Sequence, residues 1–171
     1  MRGFALAAAL LVAGCASFDG RGLEPGQSTE SQVLAQMGRP AEVRRLPGGA
    51  KALYFSRLPE GRAMYVATIG PDARLQSLEQ RLTRENIARL TPDASTQDDV
   101  RELFGPPGAV GYLSLKPREW WEYKYLDWQD RRVLWVQFSE DRILREVLDM
   151  RDWAYEMPTL PGMISAPHKG R

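Results

Sequence analysis

The strongest constraint on the fold of this 171-residue chain is that one stretch of its sequence occurs twice. Seven residues of the first copy recur in the second at a constant spacing of 67 positions, with no gap. The pairs are Leu23/Leu90, Pro25/Pro92, Ser28/Ser95, Thr29/Thr96, Val33/Val100, Gly38/Gly105 and Pro40/Pro107. Most of them are residue types that set turns and helix ends. The pattern indicates a tandem duplication, so we expect two similar folded units.

Each copy predicts a short helix with defined ends. Thr29 and Thr96 suit the N-cap position because a hydroxyl can accept the free amides of a first helical turn, and Gln32 completes a capping box in the first copy. Gly38 and Gly105 predict left-handed C-caps, and the prolines that follow prevent the helices from resuming. The inward-facing residues are predicted to be Val33, Leu34 and Met37 in one helix and Val100, Leu103 and Phe104 in the other.

Three strands are predicted after each helix, in runs rich in β-branched and aromatic residues that turn signals separate. They lie near 51–57, 62–69 and 74–80 in the first copy and near 118–126, 132–139 and 143–150 in the second. A further helix is predicted only before the second copy, where Thr83 can cap 84–90. The predicted class is α+β: two tandem αα-βββ repeats over 23–82 and 83–151, forming an antiparallel sheet with helices on one face.

The N-terminal segment carries an export signal. The apolar run 3–13 would span about 16 Å as a helix, too short to cross a bilayer but typical of a signal peptide. The sequence Leu11-Val12-Ala13-Gly14-Cys15 that follows resembles the bacterial lipobox, which implies cleavage between Gly14 and Cys15 and a diacylglyceryl thioether on Cys15. The alternative is a buried apolar cysteine that happens to end a signal peptide. We therefore predict a signal peptide over 1–14 and a lipid-bearing tether over 15–22.

A lipoprotein anchor also predicts a location. Two or three acyl chains hold a protein stably at a bilayer, whereas one chain does so only marginally. Ala16 stands beside the anchor, where enterobacterial lipoproteins kept at the inner membrane carry aspartate. The resemblance therefore implies the outer membrane, with the protein facing the periplasm.

Composition excludes several classes of function. The chain has one histidine and one cysteine, which excludes a Cys–His nucleophile pair, a zinc finger and a multi-histidine metal site. Lys plus Arg number 23 against 22 for Asp plus Glu, so no cationic surplus favours nucleic acid. His168 lies in a Pro-rich tail, 152–171, with nothing nearby to orient it as a base. We expect no enzyme activity, no cofactor, no metal and no small-molecule substrate.

Aromatic residues mark the candidate binding site. Side chains alternate between the faces of a strand, so the adjacent Trp120 and Trp121 must point in opposite directions. The row of Trp121, Tyr123 and Tyr125, with Leu134, Val136 and Phe138 beside it, is assigned to the helix-covered core. Trp120, Trp128 and Trp135 are assigned to the other face, mixed with charges, as a partner-binding site. The alternative is that the first copy or the tail covers these tryptophans.

The same residues resemble a known family. Leu-x-Pro-Gly-x-Ser-Thr over 23–29 and Met-Gly-x-Pro over 37–40 resemble the start of the SmpA/OmlA (BamE-like) lipoprotein domain. In the second copy, Glu-Trp-Trp-Glu-Tyr over 119–123 resembles that family's first strand, and 136–141 its second strand and turn. The family's domain occurs once in BamE but twice here, and the first copy has Ala-Leu-Tyr-Phe over 52–55 in place of the tryptophan pair.

This resemblance implies a role in outer-membrane protein assembly. We expect a non-catalytic binding or scaffold protein, held at the membrane through its lipid, with the β-barrel assembly machine or another envelope protein as its partner. The alternative is a tandem-repeat inhibitor or ligand-binding protein that acts on a periplasmic enzyme, since two similar units in tandem also resemble the β-lactamase inhibitor proteins.

Overall fold

The computed structural model describes residues 19–152. Predictions that concern Gly14, Cys15, His168 and the tail 153–171 lie outside the described residues. The helices are α1 (Glu30–Met37), α2 (Arg84–Ile87) and α3 (Gln97–Phe104). The strands are β1 (Glu42–Arg45), β2 (Lys51–Ser56), β3 (Met64–Ile69), β4 (Leu75–Gln80), β5 (Ala109–Leu113), β6 (Arg118–Asp127), β7 (Asp130–Phe138) and β8 (Leu144–Arg151).

The strands form two antiparallel sheets, one from each repeat. Sheet 1 has the order β1-β2-β3-β4 and sheet 2 the order β5-β6-β7-β8. Matching irregularities in the two sheets support the duplication: the register shifts between Thr68 and Ile69 in one and between Gln137 and Phe138 in the other. The α+β class, the antiparallel pairing and the six predicted strands are confirmed. Strands β1 and β5 were not predicted, because one is short and polar and the other has a central glycine.

The layering differs from the prediction. Leu53 and Phe55 of sheet 1 pack against Val33 and Met37 of α1 in one apolar cluster. The neighbouring Ala52 and Tyr54 project from the opposite face of sheet 1 into a second cluster, which holds α2, α3 and one face of sheet 2. The prediction of an antiparallel sheet with helices on one face is therefore wrong. Two separate sheets exist, and helices cover both faces of sheet 1.

Helix α3 joins the two repeats because it contacts both sheets. The Tyr54 hydroxyl of sheet 1 donates to the Glu102 carbonyl of α3 at 2.6 Å. The Tyr123 hydroxyl of sheet 2 donates to the Gly105 carbonyl, at the end of the same helix, at 3.0 Å. The consequence is an order of layers that runs α1, sheet 1, α2 with α3, sheet 2. Sheet 1 is thus buried on both faces, whereas α3 covers only one face of sheet 2.

The predicted helix starts are confirmed. Thr29 accepts from the Gln32 amide at 3.3 Å and Thr96 from the Asp99 amide at 3.1 Å, each within a capping box. In the second box the Asp99 carboxylate accepts from the Thr96 amide at 2.7 Å, and these hydrogen bonds lower the pKa of Asp99. Thr83 likewise caps α2, which is shorter than the predicted 84–90.

The prediction for the helix ends is wrong in one respect. Gly38 (φ 82°, ψ −155°) and Gly105 (φ 71°, ψ −160°) have positive φ, as expected. Their ψ values lie outside the left-handed helical region, so they are not left-handed C-caps. This backbone region is essentially restricted to glycine because a Cβ clashes there.

The first described residues lie against the domain. Gly20 is buried, and a side chain there would overlap Leu78 of β4. The Arg21 carbonyl accepts from the Gln36 side chain of α1 at 2.6 Å. The tether predicted over 15–22 is thus bound to the domain from Asp19 onward. Among residues 19–152 no helix is long and apolar enough to cross a membrane.

Candidate functional site

The inner face of sheet 2 is an apolar wall against α3. Its residues are buried as the sequence predicted: Trp121, Tyr123, Tyr125, Leu134, Val136 and Phe138. Burial raises the pKa of the Tyr123 hydroxyl well above its usual range, and burial beside Asp149 raises the pKa of Tyr125 to about 12. Both phenols therefore stay neutral, which suits a packed interior. The assignment of this face also determines which residues point the other way.

The opposite side of sheet 2, which points away from α3, is called the open face. Strand alternation and the register of β5–β8 place on it Gly111, Arg118, Trp120, Glu122, Lys124, Val133, Trp135, Gln137, Glu146, Leu148 and Met150. Glu122 pairs with Trp135, and Trp135 pairs with Leu148, so the tryptophan lies mid-sheet. The structure thus brings Trp120 and Trp135 together on one face, as predicted.

The two tryptophans on the open face stack on each other. The ring centroids of Trp120 and Trp135 are 5.2 Å apart, with 19° between the ring planes. The Trp135 indole N–H donates to the Glu122 carboxylate at 2.8 Å. The Trp120 indole lies across Gly111 of the edge strand β5, where any side chain would overlap the ring. Both rings are therefore held in place by contacts within sheet 2.

Gly111 is a site residue that the sequence analysis missed. Its signal was present: Ala-Val-Gly-Tyr-Leu over 109–113 lies between a Pro-Gly and a Lys-Pro pair, and a glycine inside a strand often marks the close approach of another group. Here the close group is the ring of Trp120.

Charges on the open face are paired within the face. Arg118 contacts Glu146 at 2.8 Å and donates to Gln137 at 3.2 Å. Lys124 lies 3.8 Å from Glu122. The face consequently presents no surplus of charge of either sign around the tryptophan pair.

Part of the open face remains accessible. Trp120 and Trp135 are partly exposed, and both have neighbours that are themselves only half-buried, such as Leu148. The first repeat packs on the opposite side of sheet 2, through α3. The alternative in which the first repeat covers these tryptophans is therefore wrong.

Trp128 is separated from the other two tryptophans. It lies in the turn between β6 and β7, which the pair Asp127–Asp130 closes. Its side chain is 97% exposed, and its φ is 56°. A bulky residue with positive φ is strained, since glycine is the residue that tolerates this region.

We expect Trp128→Gly to raise the free energy of unfolding by about 1 kcal/mol, because it relieves this strain without removing any buried contact. Gln129→Gly, at the next position and without a positive φ, should instead lower it by about 0.5 kcal/mol, since it only adds freedom to the unfolded chain. Urea unfolding followed by circular dichroism measures both. A loss of stability in Trp128→Gly would show that the indole makes contacts worth more than the strain.

No group of three or more metal-ligating side chains that could hold an ion occurs within the described range 19–152. The fold and the open face together define a class: a small α+β tandem-repeat protein with one aromatic sheet face that no helix of residues 19–152 covers.

Comparison with known proteins adds little to this class. No protein-family model matches the chain, and the comparison with curated proteins found no match. Among solved structures, a DUF4309 family protein, YjgB, from Bacillus subtilis is 18% identical, with 77% of this chain and 84% of that chain covered and a TM-score of 0.29. A similarity of that size carries no inference about fold or function.

Proposed function

We propose that this protein is a non-catalytic binding protein of the bacterial envelope, anchored through a lipid on Cys15, which holds a helical segment of a protein partner on the open face of sheet 2. The observation that carries the proposal is the Trp120–Trp135 stack, on a face whose counterpart in the first repeat is covered by a helix.

The counterpart face of sheet 1 supports a helical partner. The shared sheet register makes Ala52, Tyr54 and Val66 the counterparts of Trp120, Glu122 and Trp135. These residues of sheet 1 are buried against α2 and α3, and Tyr54, 1% exposed, donates to a helix carbonyl. A sheet face of this geometry therefore already accommodates a helix once within this protein. The open face has the same register, with a larger apolar side chain at two of these positions, Trp120 and Trp135, and a carboxylate, Glu122, at the third.

A second copy of this chain is a poor occupant. If a second copy continued the order of layers, its α1 would lie on the open face. Where α3 has the buried Leu103, α1 has Gln36, whose amide is already bound to the Arg21 carbonyl. The outer side of α1 is therefore polar, and the Gln36 amide there already has a hydrogen-bond partner. Helix α1 consequently ends the series of layers and does not suit a contact with another sheet.

The chemistry of the open face defines the partner further. Its charges are internally paired, so long-range electrostatic attraction contributes little to its affinity. Tryptophan is among the residues that most often carry interface energy, and rings already held in place lose little entropy on binding. The matching ligand is an amphipathic helix with apolar residues at i, i+3 or i+4 and i+7.

The lipobox and the SmpA/OmlA resemblance support an assignment to the outer membrane, where the partner would be a subunit of the β-barrel assembly machine. An inhibitor or ligand-binding role on a periplasmic enzyme is the alternative, and it would use the same face.

We expect crosslinked affinity purification of the lipidated protein from its own envelopes to recover β-barrel assembly subunits in near-stoichiometric amounts. Trp120→Ala combined with Trp135→Ala should reduce that recovery by a factor of at least about 30, the effect of losing roughly 2 kcal/mol at an interface centre. Quantitative mass spectrometry measures the ratio.

Tyr112→Ala is the matched control, because Tyr112 is an exposed aromatic of sheet 2 that points to the helix side. Equal recovery from the double variant and this control would contradict the proposed site. Recovery of a single periplasmic enzyme would favour the inhibitor role, and release of Cys15→Ser into the soluble fraction tests the anchor separately.

A further inference from the structure

We infer that the β6–β7 hairpin tip contacts the lipid bilayer, with Trp128 at the membrane interface. The inference rests on the lipid anchor of the proposed function and concerns a different surface from the open face. Its basis is the juxtaposition of an exposed, strained tryptophan with the point where the lipidated N-terminus reaches the domain.

The tip has features that folding does not require. Trp128 is 97% exposed at positive φ, and Leu126 beside it is 47% exposed. The corresponding hairpin of the first repeat joins β2 to β3 through 57–63, a loop without any aromatic residue. An aromatic tip is therefore not part of the repeat's architecture. Ala73, Asp93 and Arg142 also have positive φ, so the feature peculiar to this tip is the exposed indole and not the backbone conformation.

The position of the N-terminus supplies the second observation. Asp19, the first described residue, and Leu126 line the same hollow of about 390 Å³, at the hairpin end of both sheets. Cys15 precedes Asp19 by four residues, which reach at most about 14 Å when extended. A lipid on Cys15 therefore brings this end of the domain to the bilayer surface. Trp128 lies two residues beyond Leu126, farther along the hairpin.

The chemistry of the tip fits a lipid interface. Tryptophan concentrates at the headgroup level of membranes because its ring is apolar and its N–H is polar. The tip itself carries Asp127, Asp130 and Arg131, and the hollow beside it is lined by Arg57 and Arg62. The contact inferred here rests on the indole ring rather than on charge, so zwitterionic lipid is the appropriate test surface.

The test uses the lipidated mature protein in phosphatidylcholine vesicles, with and without bromine on the acyl chains, since bromine quenches tryptophan on contact. We expect the brominated lipid to remove about a fifth of the emission, because Trp128 is one of five tryptophans. Trp128→Phe should lose most of this quenching. Trp120→Phe, which removes an indole from the open face, should keep this quenching, at about a quarter of its emission, because Trp128 is then one of four tryptophans.

Flotation of the same samples separates the two proposals. Wild type and Trp128→Phe should both float with the vesicles, since the acyl chains remain. Flotation with quenching that is equal in wild type and Trp128→Phe would overturn the hairpin contact and leave the anchor intact. Failure of the wild type to float would overturn both the lipid anchor and the contact of the hairpin tip with the bilayer. Loss of partner recovery in Trp128→Phe without lipid quenching would also overturn the contact, and would assign the tip to a protein.

Discussion

Gly105→Ala is expected to lower the free energy of unfolding by about 3 to 5 kcal/mol, because two costs coincide at this position. The backbone at Gly105 has φ 71° and ψ −160°, a region that is essentially restricted to glycine. A Cβ would also lie 2.6 Å from Cδ1 of Tyr54 and 3.3 Å from Cε of Met64, both in sheet 1. The methyl group would push the two repeats apart. Urea unfolding of the mature chain measures the loss.

Gly38→Ala is the matched control, since Gly38 is the same position of the first repeat. It has almost the same backbone (φ 82°, ψ −155°), but a Cβ there would meet nothing within 4 Å. Its expected loss is the backbone cost alone, about 1 to 3 kcal/mol. Equal losses in the two variants would mean that the contact between the repeats accommodates a methyl group freely.

Arg62→Met is expected to lower the free energy of unfolding by about 3 to 5 kcal/mol, because it removes the cation from a buried ion pair. Arg62, just before β3, forms an ion pair with Asp152, after β8, and the two side chains are only 10% and 4% exposed. Arg62 also donates to the Arg132 carbonyl of sheet 2 at 3.3 Å. This network ties the hairpin end of the first repeat to the end of the last strand.

Adding Asp152→Asn to Arg62→Met should recover part of the loss, since the buried negative charge that Arg62 balanced is then gone. Arg21→Met supplies the contrast: Arg21 contacts Asp19 at 3.2 Å, but its side chain is 87% exposed. An exposed pair of this kind contributes less than about 1 kcal/mol. Similar losses in Arg62→Met and Arg21→Met would show that burial does not strengthen the Arg62 pair.

Local features of the fold were predictable from the sequence. Thr29 and Thr96 cap helices because a hydroxyl satisfies amides a few residues away, a contact that depends only on nearby residues. The assignment of Trp121 and Tyr123 to the core, and of Trp120 to the other face, follows from strand alternation, which is equally local. Strand β5 was missed, because its central Gly111 is explained only by the Trp120 ring that lies across it.

The candidate site was predicted in part for the same reason. Trp120 and Trp135 share a face because side chains alternate along each strand and the short turn between β6 and β7 fixes how the two strands pair. Trp128 was grouped with them, but the backbone reverses at that residue, so it projects from the turn instead. Neither the stacking of the two rings nor the hydrogen bond that the Trp135 N–H donates to Glu122 could be derived from alternation, because side-chain direction within a face depends on the packing of neighbouring strands.

The sequence by itself determined the duplication, the helix starts, most of the strands and the two faces of sheet 2. These depend on spacing and on contacts between residues a few positions apart. Only the tertiary structure decided that the repeats form two sheets with α3 between them, and that within residues 19–152 helices cover only one face of sheet 2. The physical reason is that any complementary surface can bury a given apolar face. That α3 covers the second face of sheet 1 depends on contacts between residues far apart in the chain, such as Tyr54 and Glu102, 48 residues apart.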